Sequence, residues 1–365
     1  MIDFPTTLLQ WSKLHGRTGL PWQNQKDPYK VWLSEIMLQQ TQVATVKERY
    51  TEFIQVFPTV QDLARASSDQ VMALWAGLGY YTRARNLHAC AKMIEEQFAG
   101  RFPESSATLV TLPGIGMSTA AAIASFCFGE RISILDANVK RLLARFMGIE
   151  DDVKKASVHQ DLWKKAQTLV PQKAEDMPKY TQALMDFGAT VCTPKNPKCS
   201  NCVYQHSCQA LSQSKVSVIP YQVKKAKNKI VQSEMLFILA NHQALFELRP
   251  EKGIWGGLWS LPESNWVDTT NAPKEPLLLS INDFLGLPSD LLEDPYKTAK
   301  LLAPRKHVFT HRTLYFQIRI IELIEKFDLN SNQYQWVNIS DCEHLGLPTP
   351  IRQWVNDYVC PCDTT

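Results

Sequence analysis

Four cysteines in the pattern Cys192-x6-Cys199-x2-Cys202-x5-Cys208 fall within seventeen residues. Thiolates at that density can close around one metal centre without help from distant chain. Sulfur ligation serves a structural zinc ion or an iron–sulfur cluster, and spacing leaves both open. Lys195 and Lys198 ride on the first loop between these cysteines, where rigid ligation would hold them toward a phosphate backbone. They belong to a longer basic block. From Phe187 to Ser233 there are seven lysines and no Asp or Glu, so this stretch carries +7 in a chain whose net charge is +3. Such a block suits a polyanion such as nucleic acid, although Lys224, Lys225, Lys227 and Lys229 alone read as a solvated linker.

A second candidate is the turn Leu112-Pro113-Gly114-Ile115-Gly116. Its two glycines allow close approach of backbone to a ligand, and the free N–H groups opening the following helix can hold an anion. Twenty residues past Gly116 comes Asp136, followed by the basic helix Lys140-Arg141-…-Arg145. By itself this aspartate reads first as a helix N-cap.

The elements that must position these groups follow from periodicity. Residues 1 to about 210 read as helical, with apolar faces at Val31-Trp32…Ile36-Met37 and Val71-Met72…Leu74-Trp75. A short helix is predicted at about Ser105 to Thr111 and an apolar one from Met117 to Phe126, on either side of the glycine turn. Residues 212–232 lack periodicity and read as a basic linker. Beyond Ser233 the pattern turns strand-like at Met235–Ala240, Ala244–Arg249 and Thr313–Glu322, and Thr349-Pro350 opens a final helix with Thr as its cap.

Composition excludes other classes. With 365 residues, 45% hydrophobic and 21% charged, the chain is of ordinary globular composition and long enough for more than one domain. No apolar run reaches the about 18 residues a membrane span needs, and the first residues lack a signal peptide's basic and apolar regions. Nine cysteines, an odd number, do not suit a disulfide scaffold. A cytoplasmic, nucleoid-associated protein is the expectation.

The runs Leu33-Ser34-Glu35-Ile36-Met37-Leu38-Gln39-Gln40-Thr41-Gln42-Val43 and Gly77-Leu78-Gly79-Tyr80-Tyr81-Thr82-Arg83-Ala84-Arg85-Asn86 precede the glycine turn, Asp136 and the cysteine loop. In this order they resemble the helix-hairpin-helix DNA glycosylases, and most closely the MutY-type adenine DNA glycosylases. The resemblance implies a [4Fe–4S] cluster on Cys192, Cys199, Cys202 and Cys208. It implies a substrate of duplex DNA carrying adenine opposite 8-oxoguanine or guanine, and action as a monomer. Bifunctional relatives carry a lysine nucleophile two residues after the second hairpin glycine. This chain has Ser118 there, which predicts a monofunctional enzyme.

Releasing adenine requires protonating a poor leaving group and stabilising a cationic sugar. Glu35 lies in an apolar helix whose burial would raise its pKa and keep it a usable acid. By resemblance, Asp136 stabilises the sugar cation. Gln40 and Tyr80 match positions that wedge into the duplex once the base has flipped. Arg83, Arg85 and Lys140 are expected phosphate contacts, and Gly114, Gly116 and Ser118 the hairpin's DNA contacts. The C-terminal half resembles a Nudix-like domain: Gly257-x5-Glu263 fits the opening of a Nudix box. Where its catalytic helix belongs stands Asn271-Ala272-Pro273-Lys274-Glu275-Pro276, whose prolines would break it. Recognition without hydrolysis is inferred, with the loop His307-Val308-Phe309-Thr310-His311 reading the opposite base through His307, Phe309, Thr310 and His311.

Three departures stand out: Ala137 for a usual glycine, where a positive φ would mean strain; Thr18 for a lysine; and Thr310 for serine. The expected fold is mainly α: a helix-hairpin-helix glycosylase core with an iron–sulfur loop (1–211), the linker (212–232) and an α+β Nudix-like domain (233–365). Within the core, about 21–130 form one helical subdomain, and 1–20 with 131–211 the cluster-bearing one. The alternatives are a bifunctional lyase acting on oxidised pyrimidines, a non-catalytic DNA-binding protein with structural zinc, and, weakest, a Nudix pyrophosphatase.

Overall fold

The computed structural model describes residues 3–221, 228–269, 300–329 and 332–359. The chain divides into two compact units, one of residues 1–65 and 85–224, the other of residues 66–84 and 225–365. Lys224, Lys225, Lys227, the segment 271–276 and Cys360 and Cys362 lie outside the described residues.

The first unit is helical. α1 (Phe4–His15) and α2 (Pro28–Met37) open alike: an aspartate, Asp3 or Asp27, accepts a backbone N–H of the first turn, and a proline occupies a position that needs no N–H. α3 (Val43–Val56) and α4 (Val60–Arg65) follow. α7 (Ser106–Leu109) and α8 (Met117–Phe128) flank the glycine turn, and every residue of α8 from Thr119 to Ser125 is buried. A helix apolar on all sides belongs in a core, and α2 packs against it. α9 (Ala137–Phe146), α10 (Ala156–Gln167), α11 (Met177–Thr190) and the short α12 (Gln209–Ser212) complete the unit. α1 packs on α11, so Phe4, Leu8 and Trp11 share one core with Leu142, Tyr180 and Phe187.

Two expectations are corrected here. The linker is shorter than residues 212–232: α12 runs to Ser212, and Ile219, 2% exposed, joins the helical core while its carbonyl accepts from Arg145 Nε at 2.8 Å. At its other end β1 begins at Lys229, because Lys229 to Gln232 already pair with a neighbouring strand. The segment 66–84, expected in the helical core, belongs to the second unit. There α5 (Ser68–Leu74) buries Val71 and Met72, and Tyr81 donates to the Leu347 carbonyl at 3.2 Å. α6 (Thr82–Phe98) begins at the end of this segment.

The second unit is built on a sheet. β1 (Lys229–Ala240) pairs in parallel with β7 (Arg312–Glu322) over its whole length up to Leu239, and antiparallel with β2 (Gln243–Leu248) and β4 (Val267–Thr269). β3 (Trp259–Ser260) and β8 (Tyr334–Asn338) extend β2, while β5 (Lys300–Leu301) and β6 (Arg305–Val308) pair antiparallel with β7. Leu236 and Ile238 enter a core cluster with Leu245 and Ile321. Phe237, pointing the other way, meets Trp354 and Tyr358 of α13 (Thr349–Val359) at 4.6 and 4.9 Å. Burial on both faces is why β1 reads as an unbroken apolar run. α13 starts at Thr349 itself rather than after it, since the Pro348 carbonyl already accepts from Arg352 N–H at 2.8 Å. Among the described residues no helix is long and apolar enough to cross a membrane.

Candidate active site

Glu35 sits near the C-terminal end of α2 among the buried Leu33, Ile36 and Met37. It lines a cavity of about 1800 Å³ in the helical unit together with Gln40, Ser118, Thr119, Asp136 and Asn138. Burial, reinforced by the charge of Asp136, pushes the Glu35 carboxyl up to about 8. Asp136 is both cap and cavity residue: its carboxylate accepts from Val139 N–H at 2.7 Å at the start of α9. Burial raises its pKa too, but hydrogen bonds from the Val139 and Asn138 backbone and the charges of Arg141 and Lys140 oppose that rise. Two carboxyls in one field cannot both ionise cheaply, and only Asp136 has backbone N–H groups and neighbouring cations that favour its charged form.

Ser118 takes part through its oxygen, which accepts from Leu135 N–H at 3.1 Å and ties α8 to the segment that delivers Asp136. Ala137 is the first residue of α9 and has no positive φ, so the expected strain is absent: helical backbone suits alanine. Gln40, in the turn after α2, adopts φ of +58°. Lys140 lies one turn past Asp136; burial lowers its pKa and the aspartate opposes the shift.

The glycine turn separates the roles of its two glycines. Gly114 has φ of +75°, and a Cβ there would lie 2.7 Å from that of Asn86. Gly116 has an ordinary φ of −83° and would meet nothing within 4 Å, although it caps α8 without a side chain. Its bareness leaves an exposed, uncovered helix start.

The four cysteines carry free thiols and line one small cavity of about 30 Å³, with Tyr204 between the last two. Among the described residues, no set of three or more Cys, His, Asp or Glu closes on a point as a single-ion site. Tyr204 stacks on Phe4 at 4.5 Å and donates to its carbonyl at 2.8 Å. Two arginines of the basic helix, Arg141 and Arg145, are buried. Arg141 donates to the carbonyls of Cys192 and Gly188 at 2.8 and 2.7 Å. Arg145 donates to Thr193 O at 2.7 Å and approaches Cys192 Sγ at 3.6 Å. Lys195 and Lys198 remain exposed on the loop so braced, whose Asn196 has φ of +48°.

Tyr80 and Arg83 lie in the second unit, whereas Arg85 is half-buried on α6 in the first. Tyr80 is 46% exposed at φ of +49°, and its hydroxyl is 2.6 Å from Thr310 Oγ1. Arg83 donates to the carbonyls of Leu78 and Gly79 at 2.7 and 3.0 Å and lies 5.2 Å over Trp75. Its guanidinium braces the turn that presents Tyr80. Thr310 and His311 form the exposed tip between β6 and β7, closed by Phe309 N–H to Arg312 O at 2.8 Å. Burial lowers the His307 pKa.

Sequence reading misses one clamp. Arg17 donates its backbone N–H and Nε to the two Asp186 oxygens at 2.9 and 2.7 Å, and Gln182 also donates to Asp186. This clamp holds the 16–26 segment as a wall of the large cavity. Its partners stand 169 positions apart, so no local pattern signals it.

Residues 33–168 match the HhH-GPD superfamily of base excision DNA repair proteins, and residues 235–357 match the NUDIX domain. An adenine DNA glycosylase of Buchnera aphidicola subsp. Baizongia pistaciae is 36% identical over 364 residues, covering 96% of this chain and 95% of that protein. An adenine DNA glycosylase of Homo sapiens is 34% identical over 371 residues, covering 86% of this chain and 66% of that protein. Among solved structures, a thermostable thymine-DNA glycosylase aligns at a TM-score of 0.53 and 29% identity, over 57% of this chain and 95% of its own.

Proposed function

The chain belongs to the adenine DNA glycosylase family, and from that premise we propose that it excises adenine paired with 8-oxoguanine or guanine in duplex DNA, without cutting the strand. The observation that carries this reading is the carboxyl pair in the large cavity: Glu35 raised to about 8, and Asp136, whose charged form the Val139 and Asn138 backbone N–H groups favour.

Glu35 is then the acid that protonates the departing base, and Asp136 the carboxylate that stabilises the electron-poor sugar. Asp136 is held at the mouth of α9 by the Val139 N–H, which fixes its oxygens while the sugar cation forms. Ser118 stands where a lyase needs an amine, and its oxygen already accepts from Leu135, which supports hydrolysis without strand cleavage. The positive φ of Gln40 and Tyr80 suits side chains thrust forward from tight turns, as wedges into the duplex must be. The open start of α8 at Gly116, with Gly114, Lys140, Arg85, Lys195 and Lys198, supplies phosphate contacts. Thr310 and His311 offer a hydroxyl and an imidazole to the oxidised base, with Phe309 and His307 behind them.

The four cysteines line one small cavity with Arg145 beside Cys192, a donor set that fits the [4Fe–4S] cluster the resemblance implies. Bound there, the cluster would cross-link the loop and so hold Lys195 and Lys198 in place. Metal analysis checks this: about four irons per chain with visible absorption is the expectation, and one zinc would reject it.

Incubation with a duplex holding one 8-oxoguanine:adenine pair, sampled before and after hot alkali, tests the reaction. Adenine release with strand breakage only after alkali is expected. Breakage without alkali would replace the monofunctional reading by a lyase, and no release from iron-loaded protein would refute the activity.

A further inference from the structure

We propose that Glu263, an acid that survives from the Nudix-box pattern, is a positioning residue for the loop that reads the opposite base, acting through two tryptophans. The inference rests on the role proposed above for Thr310 and His311.

In the sheet unit Glu263 is nearly buried, with a side chain 9% exposed. Its Oε1 accepts from Arg249 Nη1 and from Trp266 Nε1, the latter at 3.1 Å. A carboxylate neutralised by a guanidinium is a poor ligand for a divalent cation, so the retained acid serves here as a hydrogen-bond acceptor. Its backbone is stapled to β1: Leu236 N–H donates to Pro262 O at 2.8 Å and Ser264 N–H to Glu234 O at 2.9 Å. The acceptor is therefore mounted on the longest strand of the sheet.

From Glu263 the contacts run outward to the loop. The Trp266 ring stacks on Phe309 at 5.9 Å with 30° between planes. Trp255 meets Phe309 at 5.3 Å, His307 at 5.8 Å and Trp266 at 5.9 Å, and the Arg249 guanidinium lies 5.9 Å from its ring. Trp255 holds φ of +59°, a costly backbone state for a bulky residue that its surroundings must enforce. Arg249 Nε donates to Ile254 O at 3.2 Å, one residue earlier, and so ties that turn to the same ion pair. Phe309 is thus the root of a short exposed tip, gripped by two tryptophans that Glu263 and Arg249 orient. The backbone is held from the other side, by Asn228 Nδ2 to Phe309 O at 3.2 Å and Lys229 N–H to His311 O at 3.3 Å. Hydrogen-bond readout weakens steeply with misalignment, so a tilt of this aromatic base is felt at Thr310 and His311.

The test compares single-turnover adenine release from 8-oxoguanine:adenine and guanine:adenine duplexes and reads the ratio of the two rate constants. Glu263→Ala should lower that ratio about fivefold, the scale of one lost hydrogen bond, with the guanine:adenine rate constant unchanged. Glu263→Gln, which keeps an oxygen for Trp266, should restore the ratio to within about twofold. Trp266→Phe, which keeps the ring and loses the N–H, should fall between them. An unchanged ratio in Glu263→Ala overturns the inference, as does an equal fall in both rate constants. Should Glu263→Ala fail to fold, an unchanged ratio in Trp266→Phe overturns it alone. The double variant Thr310→Ala/His311→Ala separates the two readings. If it leaves the ratio untouched, the loop does not read the lesion and the inference falls with it. If it lowers the ratio while Glu263→Ala does not, only the positioning role fails.

Discussion

The two units solve opposite problems. In the helical unit the chemistry depends on hiding polar groups: Glu35 keeps a proton near neutral pH because it is buried beside a second carboxyl. In the sheet unit the groups assigned to recognition are left in the open, with Thr310 and His311 exposed at a tip whose root is gripped by aromatic rings. A reacting group needs its proton affinity changed, which burial does. A reading group needs its direction held and its donors free, which a rigid apolar base does. Variants in the first unit should therefore change rate whatever base stands opposite, and variants in the second should change the ratio between opposite bases.

The largest effect is expected from the carboxyls. Glu35→Gln and Asp136→Asn should each lower single-turnover release by about 10²–10⁴-fold on both duplexes while binding them normally. Asn is itself a good N-cap, so Asp136→Asn should keep α9 intact, and near-normal release by either variant would end the assignment. Second is pH. The acid form of Glu35 prevails below about 8, so release should decline as pH rises through that value. The same shift makes the folded state bind more protons than the unfolded between 4.5 and about 8, so this group's contribution to stability falls across that window. A pH–rate profile with no alkaline limb near 8 would separate Glu35 from the acid step.

Third, Gly114→Ala should cost about 1–3 kcal/mol of stability, from its positive φ and the approach to Asn86, read by thermal unfolding. Gly116→Ala should unfold normally yet bind duplex more weakly, since open space faces it. Equal behaviour of the two would mean the turn is structural throughout. The smallest effect is Tyr80→Phe, which removes the hydroxyl bonded to Thr310. About 0.5–1.5 kcal/mol, a few-fold in the 8-oxoguanine preference, is the expected loss, with the guanine:adenine rate less affected. A larger effect on guanine:adenine would move Tyr80 out of the comparison and into general DNA binding.

Much was legible before any coordinates. The apolar run after Gly116 gave α8, and the unbroken apolar stretch after Ser233 gave most of β1. These are local properties, set by periodicity and by the backbone groups a helix leaves unpaired. The cysteine spacing and the glycine turn were legible for the same reason, because both are short closed loops whose geometry the nearby chain dictates.

What tertiary structure alone decided lies where partners are distant in sequence. Arg141 and Arg145 read only as part of a basic helix, and packing directs both onto the cysteine loop. Arg83 braces the turn that presents Tyr80 through two backbone carbonyls. Residues 66–84 look like any other helical stretch, yet they bury Met72 and Tyr81 in the unit that holds the sheet. The Arg17–Asp186 clamp and the Glu263–Trp266–Phe309 relay have no local signature. The sequence by itself determined residue types, periods and turn chemistry, which act over a few bonds. The pKa of Glu35, the wall of its cavity and the footing of the exposed loop depend on which distant groups share a dry volume, and only folding brings those together.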